Sequence, residues 1–390
     1  MSAAPQVPVS TDVLKWARAQ RGLTTESAAK KLGIKTERLE AIEAGSQNPS
    51  LPQLRKMCDV YKRPLIVLLM DEVPTTFQPL MDYRSLSTED MNKYSPELLD
   101  EVNRAMVQRS TYVDLLVEMG QELPSPALPT DRGDATTLAQ QIRTLLAVEY
   151  KEQRTWRRPE DAFSEWRRRV EATGVMVIET SRVKLKEMRG FSLSEQLPNV
   201  IAVNGEDSPR GKTFTLLHEL AHLCARHGGV CDLHQFSRSQ DDLEIYCNAV
   251  AGETLLPLAV VRDFAVVQNH TNGEHWSDAE LEQIVSAAGG ASTEVVLRRL
   301  LQLGLAGRPE YEKRRDEFLL QYEEFRKARR ARGGTGGPPP YRMQVRDRGR
   351  PFIRSVLNAY SERLITLSDV SELAGVRVKH LQNLQKEAFR

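Results

Sequence analysis

The sequence predicts an α+β chain, predominantly helical, with a helix-turn-helix at the N-terminus, a central domain around a small sheet and a small helical module at the C-terminus. Three observations predict it. Most segments have apolar residues recurring at three and four, bounded by capping residues and glycines. Two short runs, Val175-Met176-Val177-Ile178 and Val200-Ile201-Ala202-Val203-Asn204, read as strands. One apolar helical stretch, Leu216 to Leu223, carries His218, Glu219 and His222, polar groups that a core helix holds only for a reason.

Composition bounds the rest. A chain of 390 residues has room for two or three domains. With 40% hydrophobic and 27% charged residues it is ordinary for a globular protein. The net charge of +1 makes any nucleic-acid surface a local one. No apolar run approaches the roughly 20 residues of a membrane span, and Met1-Ser2-Ala3-Ala4-Pro5 lacks the features of a signal peptide. Cys58, Cys224, Cys231 and Cys247 show no Cys-x-x-Cys spacing, so reduced thiols and a cytoplasmic location are expected; a zinc site using Cys224 and Cys231 is the minor alternative.

The domain boundaries are expected at 1–73, 74–160, 161–305, 306–340 and 341–390. In the first, helices are expected over Val13–Arg21 and, capped by Thr24 and stopped by Gly33, over Thr25–Leu32. A third carries Leu39 and Ile42 and ends at Gly45. After the Asn48-Pro49-Ser50 turn come Leu51–Tyr61 and the apolar Leu65–Met70. Two short helices joined through a glycine turn make a helix-turn-helix. Residues 15–63 hold eleven Lys or Arg against five Asp or Glu, which suits a phosphate backbone. The run Arg18-Ala19-Gln20-Arg21-Gly22-Leu23-Thr24, with Ala28 to Ile34, Ile42-Glu43-Ala44-Gly45 and Asn48-Pro49, resembles the Xre, or lambda-repressor-like, family. The resemblance implies double-stranded DNA as a partner through residues 13–63, with Thr25, Lys30, Lys31, Lys35, Thr36 and Arg38 as candidate contacts, and a homodimer. Thr25 stands where many members have Gln. The recognition helix carries Glu37, Glu40 and Glu43 against Lys35 and Arg38, an acidic balance; a partner-binding module is the alternative, and Glu43 belongs to the family pattern.

In the second segment, Ser95 can cap and Pro96 can open a helix to about Met119, with one buried stripe through Leu98, Val102, Ala105, Met106, Arg109, Tyr112, Val113 and Leu116. Asp134–Val148 reads as the next helix. Trp156 and Trp166, near several arginines, are expected to pack helices rather than stack on bases.

The third segment holds the chemistry. His218 and His222 are four apart, so on a helix they share one face and can take one Zn²⁺ at about 2.1 Å. Glu219, the next residue round, can accept a proton from a metal-activated water without being a ligand. A site of this kind needs a third ligand. Glu244 is the best candidate, on a second helix where it shares a face with Asn248, whose expected role is to brace the site. Asp241, Asp242, Glu253, His227 and His234 compete, and Tyr246 and His234 are candidate donors to a reacting carbonyl. Ile245, Ala249, Leu255 and Leu256 are expected to face inward.

Phe191-Ser192-Leu193, Pro198 to Asn204, Phe214 to Leu223 and Glu244-x-x-Cys247-Asn248-x-x-Ala251-Gly252-Glu253-x-Leu255-Leu256-Pro257 closely resemble the ImmA/IrrE family of zinc metallopeptidases, the M78 peptidases. The resemblance implies a zincin-like domain with one Zn²⁺ per chain, His218, His222 and Glu244 as ligands and Glu219 as general base. Gly252 stands where members commonly have Ala. The resemblance also covers Ser292-Thr293-Glu294 to Leu303.

Beyond residue 305, Tyr311–Ala331 reads as a charged helix, 333–340 as a Gly/Pro linker and Tyr341–Arg350 as an arginine-rich stretch. Phe352–Tyr360, a helix capped by Thr366 or Ser368, and Val378–Leu384 complete the chain. Taken with what the family does, the sequence implies a DNA-binding regulator with a zinc-dependent, site-specific endopeptidase. Its expected substrate is a transcriptional repressor or a toxin–antitoxin component, in stress or prophage control. The alternative is a non-proteolytic regulator or antitoxin that uses the same fold to bind a partner or sense a ligand.

Overall fold

A computed structural model describes residues 6–61, 63, 65–73, 95–129, 133–194, 196–225, 238–271, 273, 275–331 and 338–390, side chains excepted at 238–241, 319–323 and 325–331. The chain divides into two compact units, Met1–Met106 and Val107–Arg390.

In the first unit, α1 (Thr11–Ala19), α2 (Thr25–Leu32), α3 (Thr36–Glu43), α4 (Leu51–Tyr61) and α5 (Leu65–Leu68) enclose a core of Leu14, Leu32, Leu39, Ile42, Leu54 and their neighbours. Local chemistry sets the boundaries. The Thr24 hydroxyl accepts from the Ser27 amide (3.2 Å) at the start of α2. Gly33 closes α2 at φ +67°, a left-handed conformation that favours glycine. Ser50 and Gln53 bond reciprocally at the start of α4. α2 and α4 occupy the predicted spans, and α1 begins two residues before its expected start.

In the second unit, β1 (Met176–Thr180), β2 (Gly190–Leu193) and β3 (Val200–Asn204) form a sheet in the order β1-β3-β2. β1 runs parallel to β3, with Val177 opposite Ile201; β2 runs antiparallel to it, with Ser192 opposite Ile201. Every residue of β1 and β3 is buried, which is why Met176–Ile178 and Val200–Val203 read as continuous apolar runs; the polar Glu179, Thr180 and Asn204 stand at the strand ends. The sequence reading found two of these strands. β2 was absent from it because four residues are too few to show a period, and its pairing partner lies seven to thirteen residues away in the register.

The histidine helix, Pro209–Ala225, packs against β2, β3, the helix Pro159–Ala172 and the glutamate helix, Arg238–Leu255. The sequence expectation for the histidine helix, a start at Thr213, is four residues late: it opens at Pro209, because proline suits a first turn and the Ser208 hydroxyl accepts from the Gly211 amide (3.0 Å). Ile245, expected inward, is 66% exposed: the face carrying Glu244 and Asn248 borders a cleft, and Ile245 lies on its wall. Leu255 and Leu256 are fully buried as expected. Trp156 and Trp166 are both buried and meet edge to face at 5.7 Å, as helix-packing residues do.

The arginine-rich stretch Tyr341–Arg350 lies largely in a helix, Pro340–Arg348, packed against β1. Its arginines are engaged: Arg342 with Glu387 (3.2 Å), Arg346 with Asp347 (2.7 Å), and Arg348 donating to Gln344 (2.9 Å). Helices Arg350–Ser361, Leu367–Ala374 and Leu381–Ala388 follow. The third of these has its entry preceded by a 3₁₀ turn at Val378–His380. Thr366 caps the second in a reciprocal box with Asp369.

Candidate metal and catalytic site

Buried charges fix the histidine helix on the sheet. Arg167 is buried and donates to Glu171 (2.9 Å), Glu179 (3.0 Å) and the Val177 carbonyl (2.7 Å); Lys212 reaches the other Glu179 oxygen at 2.9 Å. The β1 strand and the first turns of the histidine helix thus share one carboxylate, an arrangement costly to break because each partner would be left charged and dry. On the far edge, β2 passes close to the same helix. A Cβ on Gly190 would lie 2.5 Å from Thr215 Cγ2 and 3.3 Å from Glu219 Cγ, so this approach requires glycine.

The result is a convergent donor set. His218 Nε2 and His222 Nε2 are 3.0 Å apart. The two Glu244 oxygens lie 3.2 Å from His218 Nε2 and 3.1 Å from His222 Nε2, and the three residues each place a ligand atom within 4.8 Å of the others. Three donors at about 2.1 Å from one tetrahedral ion are about 3.4 Å apart, so the set needs only slight opening to hold zinc. His222 is buried while Glu244 is half-exposed, which leaves the centre a side open to solvent. Hydrogen bonds from His218 and His222 hold the Glu244 carboxyl far below the usual range, against the effect of burial. Burial works against the charged form of His218, yet the Glu244 bond and the charges of Glu219 and Glu244 raise it on balance. Asn248, which lines the same side of the glutamate helix, also favours the charged form of His218. Both histidine Nδ1 atoms are buried without a hydrogen-bond partner among the described residues, so the usual second anchor of a metal-bound imidazole is not in evidence there.

Glu219 is buried beside this group and outside it. Ser192 Oγ donates to Glu219 Oε2 at 2.9 Å. Ser192 lies in one of the blocks that resemble the metallopeptidase family but carries no role expected from the sequence, because the strand that aims it, β2, is too short to show a period. Phe214, one turn before His218, stacks on that imidazole at 6.4 Å.

The competitors fall elsewhere. Glu253 pairs with Arg299 (3.1 Å) and accepts from the Leu258 amide. Tyr246 donates its hydroxyl to the Gly133 carbonyl (3.0 Å) instead of serving a reacting carbonyl. Asp242 supplies no atom to the group. Cys224 is buried in the core, its thiol pushed up to about 12 by burial, and Cys58 and Cys224 form no disulfide. His227, Cys231, His234 and the Asp241 side chain lie outside the described residues.

On the helix-turn-helix, Lys30, Lys31 and Lys35 are exposed, and Thr25, Thr36 and Arg38 are half-buried. Lys31 lies 3.9 Å from Glu97, and Arg38 gives one Nη2 bond to the Asn48 carbonyl (2.9 Å). Glu37 and Glu40 are exposed on α3. Glu43 is buried and held by Arg18 through two bonds of 2.7 and 2.9 Å.

Residues 170–301 match the model of the IrrE N-terminal-like domain of the M78 peptidases, and residues 11–67 match the model of a helix-turn-helix domain. The chain therefore joins a DNA-binding type of domain to a protease-like one, in agreement with both resemblances. No curated protein and no solved structure matches it. No helix among the described residues is long and apolar enough to cross a membrane.

Proposed function

We propose that the protein is a zinc-dependent, site-specific endopeptidase that cleaves a transcriptional repressor or related regulator and is coupled to DNA through its helix-turn-helix domain. The observation that carries this reading is the meeting of His218, His222 and Glu244 around one point, with Glu219 held beside them by Ser192. Zinc held by the first three supplies an acidified water and a Lewis acid for the peptide carbonyl. Glu219 takes the proton from the attacking water and returns it to the leaving amine nitrogen. Ser192 is a neutral donor, so it orients the Glu219 carboxylate without cancelling its basicity. Asn248 steadies His218. The half-exposed flank at Glu244 admits the peptide. Selectivity for one regulator comes from docking on the large non-catalytic part of the chain.

Metal content tests the first half of the reading. About one zinc per chain is expected in the wild type and in Glu219→Gln, and none in His218→Ala. Incubation of the zinc-loaded protein with the products of neighbouring genes tests the second. Zinc-replete protein that cuts none of them would leave a regulator that binds without cleaving.

A further inference from the structure

A cleft of about 440 Å³ opens beside the histidine–glutamate group, between the histidine helix, the glutamate helix and the helix Thr293–Gln302. Its near wall is Phe214 and Asn248, both in contact with His218, and the exposed Ile245. Its far end is Arg299, which is 3% exposed. Glu244, Asn248 and Gly252 follow one another at intervals of four along the glutamate helix, so they form one line on its face. At 1.5 Å per residue, Gly252 lies about 12 Å from Glu244 along the axis, the span of roughly three to four residues of extended peptide.

Arg299 lies against Gly252. A Cβ there would sit 3.0 Å from Arg299 Nη2 and 3.2 Å from Cζ. The one departure noted within the metallopeptidase block, Gly252 in place of Ala, is therefore the residue that makes room for this guanidinium. The guanidinium is incompletely partnered. Nη1 donates to Gln302 (2.6 Å), and Nη2 is 3.1 Å from a Glu253 oxygen but off the hydrogen-bond direction. Nε and Nη2 are buried without a hydrogen-bond acceptor among the described residues. Buried donors of this kind call for an acceptor. The surrounding charges leave a positive balance. Arg189 faces Asp207 (3.3 Å), and the rim residue Glu294 is bracketed by Arg298 (4.0 Å) and Arg315 (3.6 Å), so two arginines share one carboxylate.

We propose that this cleft is a specificity subsite for a carboxylate side chain, Asp or Glu, of a bound peptide, with Arg299 as its recognition group and Gly252 as the residue that admits it. The inference rests on the endopeptidase reading for its occupant. Arg299 acts on which peptide binds and takes no part in the chemistry.

The test uses the full chain with isoleucine δ1 methyl groups labelled with carbon-13 and the Ile245 signal assigned through Ile245→Val. The probes are N-acetyl-glutamate N-methylamide and its glutamine isostere. The Ile245 signal should move saturably with the glutamate compound and about tenfold more weakly with the glutamine one. Arg299→Met should abolish the difference. Gly252→Ala, which keeps every charge and presses on the guanidinium, should weaken glutamate binding several-fold while leaving the methyl spectrum folded. Equal binding of the two probes overturns the proposal. So does a preference that survives Arg299→Met, which is what a carboxylate taken at the His218–His222 centre would give. Loss of cleavage activity with the preference intact would instead sink the endopeptidase reading and leave the subsite standing.

Discussion

Two buried glutamates, one in each compact unit, show how differently the same residue can be used. Glu43 sits in α3 of the helix-turn-helix and Glu219 in the histidine helix, and both are less than a tenth exposed. Glu43 is gripped by Arg18 through two charge-assisted bonds, and the same arginine donates to the Leu23 carbonyl at 2.7 Å. Its charge is spent on tying α1 to α3. Glu219 receives a bond from the neutral Ser192, and the nearest histidines belong to a set that converges on a metal position. A cation would have made it structural; a hydroxyl leaves it free for the base role proposed above. The partner, more than burial, decides what each carboxylate can do.

The sharpest way to break this contrast is to remove the charge from each. Glu219→Gln should keep zinc and lower turnover at least a hundredfold, because the amide cannot accept the proton. His218→Ala should abolish both metal and turnover. Zinc analysis beside single-turnover cleavage separates these outcomes, and a Glu219→Gln protein that still turns over would return Glu219 to the class of structural residues. Glu43→Ala should do the reverse. It strands the mostly buried Arg18, costing the first unit about 2–3 kcal/mol in a denaturant melt, with zinc content unchanged. A melt that does not move would mean that Arg18 finds solvent readily and that the pair is dispensable.

Ser192→Ala refines the comparison on the catalytic side. Removing a hydrogen bond that orients the base, with no change of charge, should lower kcat about tenfold and leave KM and zinc content alone. Restoration by Ser192→Thr would point to the hydroxyl itself. A loss of zinc in Ser192→Ala would instead show that β2 supports the ligand set and not the base.

How much of this was legible in the sequence follows from the range of each interaction. Thr24 and Gly33 fix helix ends through bonds a few residues long, and the sequence places both; the cap at Thr366 is one of the two candidates it offers there. His218, His222 and Glu244 were legible because helical spacing puts the first two together and a matching second block supplies the third. β2 was invisible because it is too short to have a period and exists only by pairing with β3. Ile245 was misread because its helix has a cleft on the face that looked like core. The Arg299–Gly252 contact joins residues 47 positions apart, so no local pattern reports it. The N-terminal unit was read well because it is a chain of local decisions. In the second unit the histidine and glutamate helices could be found but not the surfaces between them.

The smallest expected effect concerns glutamates that are exposed and have no ion-pair partner among the described residues. Glu37 and Glu40 lie exposed on α3 beside Lys35, while Lys30 and Lys31 lie exposed on α2. If α3 enters a major groove, the two carboxylates approach phosphates and weaken binding, or one accepts from a cytosine amino group and narrows it. Exposed charges screened by solvent act over a fraction of a kcal/mol to about 1 kcal/mol each. Glu37→Gln and Glu40→Gln should therefore each tighten binding of random-sequence duplex DNA by about two- to fivefold at low salt. Lys30→Ala should weaken it and reduce the salt slope by about one, with Lys31→Ala doing less because Lys31 already faces Glu97. Anisotropy titrations across a salt series read both quantities. Binding that ignores all four changes would mean the acidic face of α3 meets protein rather than DNA. The exposed glutamates would then be recognition residues of another kind, distinct from Glu43, which Arg18 has silenced, and from Glu219, which Ser192 leaves without a paired cation.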